Sequence, residues 1–169
     1  MRDNAAAHGR EGAVLQIDIP DFGTLRLQHL LLDFNGTLAC DGMLIEGVAE
    51  RLRRLAANLT LHVVTADTFG NARAALKDLP CQVVVLDPES QDVAKLAYTE
   101  RLGRERTVCV GNGRNDRAML EAAAIGIAVI QAEGSAAGTL AVADVVCPSI
   151  LDALDLLAHP LRLVATLRS

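Results

Sequence analysis

Residues 30–38 read LLLDFNGTL, and residues 108–116 read VCVGNGRND. In each stretch, a run of apolar residues is followed at once by acidic and amide side chains and by glycine. Such runs are typical of strands that are buried on both faces of a parallel sheet. The two stretches therefore predict two strands with polar groups at their carboxyl ends, which is where α/β sheets place their chemistry.

Strand-like and helix-like segments alternate along the rest of the chain, which predicts a mostly parallel sheet with helices on both faces. The predicted strands of this sheet are 29–33, 59–65, 81–86, 107–111, 126–130 and 144–147. The predicted helices are 46–57, 71–77, 92–102, 116–124 and 135–142. Two short alternating segments, 14–19 and 24–27, are separated by turn residues and predict a hairpin ahead of the sheet.

The length of 169 residues fits a single domain. We expect a three-layer α/β/α Rossmann-like domain over 1–169, with the hairpin inside 12–28, a catalytic core at 29–148 and a C-terminal helix at 149–169. That last segment is amphipathic, and Pro160 is expected to break or restart it. The segments that follow the strands ending at Asp33 and Thr65 are too short to hold a cap domain.

Composition narrows the classes of partner. The formal net charge is −5, whereas nucleic acids and anionic membranes are bound mainly through clustered Lys and Arg. No apolar run approaches the roughly 20 residues of a membrane-spanning helix, and the polar start lacks the apolar segment of a signal peptide. We therefore expect a cytoplasmic protein that binds neither nucleic acid nor membrane.

Asp33 is the candidate nucleophile. It is followed by Asn35, Gly36 and Thr37, where glycine permits a tight turn whose backbone N–H groups can bind an anion. A carboxylate beside such a turn suits attack on phosphorus, with Mg²⁺ offsetting the charge. Taken alone, Asp33 is better interpreted as a residue that caps a turn. The second polar strand end, at 111–116, reverses that preference.

Four motifs occur in a recognisable order: 33–37, then Thr65, then Lys95, then 111–116. This series resembles the haloacid dehalogenase-like superfamily. Within it, the chain is most similar to the phosphorylation domain of P-type ATPases and to the small, soluble, cap-less phosphatases related to that domain. The resemblance covers residues from about 28 to 148.

The resemblance implies a magnesium-dependent phosphatase that works through an aspartyl phosphate on Asp33. It implies that the phosphate group is held by Asn35, Gly36, Thr65, Ala66 and Lys95. It also implies Mg²⁺ as the cofactor, held or oriented by Asp33, the backbone carbonyl of Asn35, Asn112 and Asp116. Hard oxygen ligands of this kind suit Mg²⁺, and a positioned ammonium stabilises charge in phosphoryl transfer.

Two residues depart from the pattern of the resemblance. Phosphatases of the superfamily usually carry a second aspartate two residues after the nucleophile, where this chain has Asn35. An amide cannot carry the proton, so we expect turnover to be slow. Asn112 stands where an aspartate usually binds magnesium, which lowers both the attraction for the metal and the repulsion of phosphate.

Several alternatives remain at this stage. Lys77 competes with Lys95 as the lysine that pairs with phosphate. A regulatory module that binds phosphate or a partner without turnover competes with the enzyme. A dinucleotide site at Gly111 and Gly113 is disfavoured because Asp116 occupies the place of the third glycine. The expected substrate is a small phosphorylated compound or a phosphorylated macromolecule, and without a cap the site is open or is closed by homo-oligomerisation.

Overall fold

A computed structural model describes residues 13–67 and 70–169. The strands are β1 Leu15–Ile19, β2 Gly23–Leu27, β3 His29–Asp33, β4 Ala39–Cys40, β5 Met43–Leu44, β6 Thr60–Thr65, β7 Cys81–Val85, β8 Thr107–Gly111, β9 Ile125–Val129 and β10 Val145–Cys147. The helices are α1 Val48–Leu55, α2 Asn71–Leu76, α3 Gln91–Leu102, α4 Arg117–Ala122, α5 Ala137–Leu140, α6 Ile150–Ala158 and α7 Pro160–Leu167.

The central sheet has six strands in the order β10-β9-β8-β3-β6-β7, and every neighbouring pair is parallel. Parallel strands need crossover connections, and helices supply them here. β3 lies in the middle of the sheet between β8 and β6. The α/β class and the Rossmann-like sheet predicted from the sequence are confirmed.

Alternate residues of the central strands feed two separate cores. Leu30 and Leu32 belong to the larger core, which also receives apolar side chains from α1, α2, α6, α7 and the β1-β2 hairpin. Leu31 belongs to the smaller core, with Tyr98 of α3 and Met119 of α4. Because successive side chains of a strand point to opposite faces, these two cores define the three layers.

The N-terminal hairpin is confirmed as the antiparallel pair β1-β2, and its inward residues are buried in the larger core. The part of the predicted domain before residue 13 lies outside the described residues. Within the described residues, no helix has both the length and the apolar character needed to cross a membrane.

Several predicted boundaries were wrong by one or two residues. The first helix begins at Val48 because Gly47 adopts a left-handed φ of 86°. The helix predicted from 116 begins at Arg117, after a 3-10 turn over Arg114–Asp116. The C-terminal segment 149–169 is two helices rather than one, because Pro160 lacks an N–H and begins α7 directly after His159.

Candidate active site

Three strands of the sheet deliver polar groups to one edge. Asp33 ends β3, Thr65 ends the neighbouring β6, and Gly111 ends β8 on the other side. A cavity of about 350 Å³ opens at this edge. Its walls are formed by Asp33, Asn35, Thr65, Ala66, Asp67, Asn71, Gln91, Asn112, Gly113 and Asn115. The sequence-predicted motifs therefore meet in one place.

A buried ion cluster lies at the base of the cavity. The ammonium of Lys95, on α3, donates to Asp33 Oδ1 at 2.7 Å and to Asp116 Oδ1 at 2.6 Å. Lys95 and Asp116 are 0% exposed, and Asp33 is 6% exposed. One cation thus faces two carboxylates, so the cluster has a formal charge of −1. Lys77, the competing lysine, is exposed just after α2.

The ionisation of the cluster follows from this imbalance. Burial and the nearby Asp116 carboxylate raise the pKa of Asp33 to about 7, although the Lys95 ammonium and the Thr37 hydroxyl act in the opposite direction. Burial also disfavours the charged form of Lys95, but its two carboxylate partners outweigh burial and raise the pKa of Lys95. Burial is thus the main cause of the shift at Asp33, whereas the two carboxylates are the cause of the shift at Lys95.

Asp116 holds the loop that follows β8. Its Oδ2 accepts hydrogen bonds from the backbone N–H groups of Asn112 at 2.9 Å and Gly113 at 2.8 Å, while Oδ1 accepts from Lys95. Gly111 makes this packing possible, since a Cβ there would lie 2.5 Å from Asp116 Cγ. Asp116 does not line the cavity, so its contacts place it behind Lys95 and the loop rather than at the cavity wall.

Thr37 links Asp33 to the loop that follows β8. Its hydroxyl lies 3.1 Å from Asp33 Oδ2 and 3.2 Å from Asn112 Oδ1, both within hydrogen-bond range. Asn112 can approach this closely because residue 36 is glycine, with a φ of 77°. A Cβ on Gly36 would lie 2.5 Å from Asn112 Nδ2. The glycine is therefore needed for both its backbone conformation and its lack of a side chain.

The structure gives a local reason for an amide at position 112. Asn112 Nδ2 donates to the backbone carbonyl of Gly134 at 3.0 Å. An aspartate in the same place would bring a carboxylate oxygen against that carbonyl oxygen, and neither atom can donate. Asn112 therefore joins the loops after β3, β8 and β9 while leaving an amide oxygen near Asp33.

Gly36 is not placed for the phosphate contact that the sequence predicts. Its backbone N–H donates to the Ala39 carbonyl oxygen at 2.8 Å, so the group is engaged inside its own turn. Gly36 is also absent from the cavity wall. In contrast, Asn35 is exposed on that wall, and its side chain makes no hydrogen bond with any described residue. Thr65 and Ala66 also line this cavity.

Several residues of the site were missed in the sequence. Asp67 lines the cavity two residues after β6 ends, a position that the strand-end rule applied to Asp33 would have found. Gln91 lies one helical turn before Lys95 and accepts a hydrogen bond from Asn115 Nδ2 at 2.7 Å. Because no strand ends at Gln91, only its spacing from Lys95 on the same helix gave a signal.

Gln131 was also missed, and it braces the nucleophile loop from outside the cavity. Its Nε2 donates to the backbone carbonyls of Gly36 and Thr37, both at 2.7 Å. Its Oε1 accepts from the backbone N–H of Ile150, at the start of α6, at 3.0 Å. One side chain thus ties the loop after β3 to the helical layer near the C-terminus.

The oxygens at the cavity fit a magnesium ion. The carboxylate of Asp33, the backbone carbonyl of Asn35 and the amide oxygen of Asn112 are all hard donors, and no described residue of the cavity wall carries a thiol or an imidazole. Oxygen-only sets of this type suit Mg²⁺ rather than softer metals. The net negative charge of the ion cluster also favours a divalent cation.

A wider groove of about 900 Å³ adjoins the cavity and shares Asn115 with it. Small residues of α5 and the preceding loop form part of its lining, namely Ala136, Ala137 and Gly138. Both Arg114 and Arg117 lie along it, together with the acidic Asp92 and Glu121. The cavity therefore adjoins a surface that has room for a ligand larger than the cavity itself.

A family model for haloacid dehalogenase-like hydrolases matches residues 90–152. Two uncharacterised proteins of Methanocaldococcus jannaschii are similar in sequence. One is 42% identical over 83 residues, which is 47% of this chain and 89% of that protein. The other is 49% identical over 39 residues, which is 23% of this chain and 89% of that protein.

Solved structures share the fold. A Moraxella catarrhalis 3-deoxy-D-manno-octulosonate 8-phosphate phosphatase, bound to magnesium, phosphate and its sugar, superposes with a TM-score of 0.67 at 16% identity, over 84% of this chain and 94% of that one. The cobalt-bound deoxy-D-mannose-octulosonate 8-phosphate phosphatase of Haemophilus influenzae gives 0.65 at 14% identity, over 79% and 88%.

Proposed function

Because the chain belongs to the haloacid dehalogenase-like superfamily, we propose that it is a magnesium-dependent phosphohydrolase or phosphotransferase that works through an aspartyl phosphate on Asp33. A single observation carries the proposal: a lysine ammonium lies 2.7 Å from a strand-end carboxylate that opens onto a polar cavity. An ion pair that only stabilised the fold would not require a polar cavity beside it.

Each residue of the site has a part in this reaction. The Asp33 carboxylate attacks phosphorus, and the bond from phosphorus to the leaving group breaks. Lys95 neutralises charge on both the nucleophile and the transferred group, and Asp116 holds Lys95 in place. The Thr65 hydroxyl and the backbone at Ala66 line the same cavity, and we assign them to the phosphate oxygens.

Mg²⁺ is the cofactor we propose, with Asp33, Asn35 and Asn112 as the residues that hold it. When bound, it offsets the negative charge of both the cluster and the phosphate group. The magnesium and cobalt ions named for the two solved phosphatases agree with a divalent ion at such a site. Asp116 makes three hydrogen bonds within the protein and orients this set from behind.

The reaction is expected to be slow, because Asn35 cannot move a proton. General acid–base catalysis contributes about 10²- to 10⁴-fold in rate. A leaving group that departs without a proton, such as the carboxylate of an acyl phosphate, avoids this loss in the first step. We therefore expect acetyl phosphate to be cleaved faster than an alkyl phosphate, and phosphoryl-Asp33 to accumulate.

A phosphate-release screen over phosphoesters and acetyl phosphate, with and without Mg²⁺, tests the proposal. The native chain should release phosphate only with Mg²⁺, and Asp33→Asn should abolish the release. The variant Asn35→Asp should raise turnover at least tenfold. Release that survives Asp33→Asn would rule out the proposed nucleophile.

A phosphate-binding regulatory module is the second candidate, and the amide at Asn35 favours it. This candidate predicts that phosphate and Mg²⁺ raise the melting temperature while no substrate is turned over. It also predicts that Asn35→Asp restores no activity. The same screen, combined with thermal shifts, separates the two functions.

A further inference from the structure

The cavity wall holds two carboxylates among the described residues, Asp33 and Asp67. The other polar side chains on it are one hydroxyl and five amides, none of which accepts a proton at neutral pH. Asp33 is bound to Lys95 and is the proposed nucleophile. Asp67 is thus the one wall carboxylate in the described chain that the mechanism leaves without a role.

Asp67 is held by one oxygen only. Its Oδ2 accepts from the backbone N–H groups of Ala72 at 3.1 Å and Arg73 at 3.3 Å, in the first turn of α2. Its Oδ1 makes no hydrogen bond with any described residue, and the residue is half-buried. The carboxylate is therefore held in place through Oδ2, and Oδ1 has no hydrogen-bond partner among the described residues.

The hydrolysis of phosphoryl-Asp33 needs a proton acceptor. The attacking water must lose a proton as its oxygen bonds to phosphorus, and the amide of Asn35 cannot take it. Asp67 lies on the same cavity of about 350 Å³, a space small enough for a phosphate group and a few waters to join its walls. An aspartate at this place has the chemistry that position 35 lacks.

We propose that Asp67 accepts the proton of the water that hydrolyses phosphoryl-Asp33, an inference that rests on the proposed function. The water oxygen bonds to phosphorus, and the bond between phosphorus and the Asp33 oxygen breaks with its electron pair returning to Asp33. The water proton passes to Asp67 Oδ1 and then to solvent. Phosphate leaves, and both carboxylates are regenerated.

The test separates formation of the phosphoenzyme from its breakdown. Labelled acetyl phosphate loads Asp33, since its leaving carboxylate needs no proton, and a chase with unlabelled substrate follows the loss of label. The variant Asp67→Asn keeps an oxygen that accepts from Ala72 and Arg73. We expect it to slow breakdown at least tenfold and to change formation less than twofold.

A matched control is Asp87→Asn. Asp87 also caps a helical turn, with its Oδ1 accepting from Glu89 N at 3.0 Å, but it lies outside the cavity wall. This variant should leave both steps at native rates. If Asp67→Asn does not fold, Asp67→Ser retains an acceptor for the backbone N–H groups and gives the same comparison.

A double variant distinguishes a proton acceptor from a structural part. In an Asn35→Asp background a second carboxylate takes over the proton, so adding Asp67→Asn should slow breakdown less than threefold. Breakdown at the native rate in Asp67→Asn would overturn the inference and leave the proposed function standing. An equal slowing in both backgrounds would also overturn it. A native chain that forms no Asp33-dependent phosphoenzyme would overturn both.

Discussion

Helix α3 contributes to two buried polar networks, and they are built in opposite ways. Lys95 meets two carboxylates beside the cavity. One turn further along, the Tyr98 hydroxyl lies 3.0 Å from His62 Nδ1, and His62 Nε2 lies 3.2 Å from His29 Nδ1. The first network consists of charges, whereas the second can satisfy all of its groups while neutral.

Burial has opposite consequences in the two networks. Burial, with help from His29 and Arg101, lowers the pKa of His62 to about 4, so this ring is neutral at pH 7. Burial equally disfavours the ammonium of Lys95, yet two carboxylates reverse the effect. Of these two networks, only the one beside the cavity therefore contains charged groups, and there the ammonium of Lys95 compensates the carboxylates.

Removing the ammonium of Lys95 should have the largest effect on stability and on phosphate release. Lys95→Met leaves two buried carboxylates without a counterion, and breaking a buried ion pair in this way costs about 3–5 kcal/mol. We expect the free energy of unfolding, measured in urea, to fall by that amount and phosphate release to vanish. Adding Asp33→Asn should recover part of the stability, because one unpaired charge is removed, but none of the activity. Unchanged stability in Lys95→Met would contradict the buried cluster.

Removing a partner from the neutral network should cost less. Tyr98→Phe keeps the ring beneath Arg101 but leaves His62 Nδ1 without its hydrogen bond. An unsatisfied buried polar group costs about 1–3 kcal/mol. Urea unfolding should show this loss, while phosphate release stays within twofold of native. A larger effect on phosphate release than on stability would show that the two networks are coupled.

The smallest expected effect is the dependence of stability on pH. The unfolded His62 takes up a proton near pH 6.5, whereas the folded one does so near pH 4. Stability is therefore fully present above pH 6.5 and falls as the pH drops towards 4, because the unfolded chain binds more protons. His29, whose pKa is also lowered, acts in the same direction.

The raised pKa of Asp33 opposes this trend, because the folded Asp33 carboxyl binds a proton more readily than the unfolded one, so the test uses an Asp33→Asn background. In that background we expect a loss of about 2 kcal/mol in the free energy of unfolding between pH 7 and pH 5. His62→Gln removes the titrating ring and should flatten the curve over this interval. A curve with no slope there in the Asp33→Asn background would mean that His62 is protonated as readily in the fold as in the unfolded chain.

The central strands could be predicted from their long apolar runs, and the position of the site followed from where those strands end. The strands that end at Asp33, Thr65 and Gly111 were identified because each is buried on both faces and ends in polar residues. Parallel strands then bring those ends to one edge whatever their order in the sheet. Lys95 could be chosen over Lys77 only with the resemblance, since its burial is a tertiary property.

The short β4-β5 hairpin was not predicted from the sequence. Each strand has two residues, too few for an alternating pattern. The signal was the turn itself, because Asp41 and Gly42 have φ values of 50° and 76°, and Asp-Gly between apolar residues is typical of such turns. Asp67 was not identified either, although it lies only two residues after β6 ends at Thr65.

Gln131 connects the loop that follows β3 to the start of α6. Its amide nitrogen donates to the carbonyls of Gly36 and Thr37, and its amide oxygen accepts from the N–H of Ile150, the first residue of α6. Shortening the protein before Ile150 would remove that anchor and free the amide to rotate. The start of α6 thus anchors the loop that follows Asp33, and a fragment that retains the proposed activity has to include it.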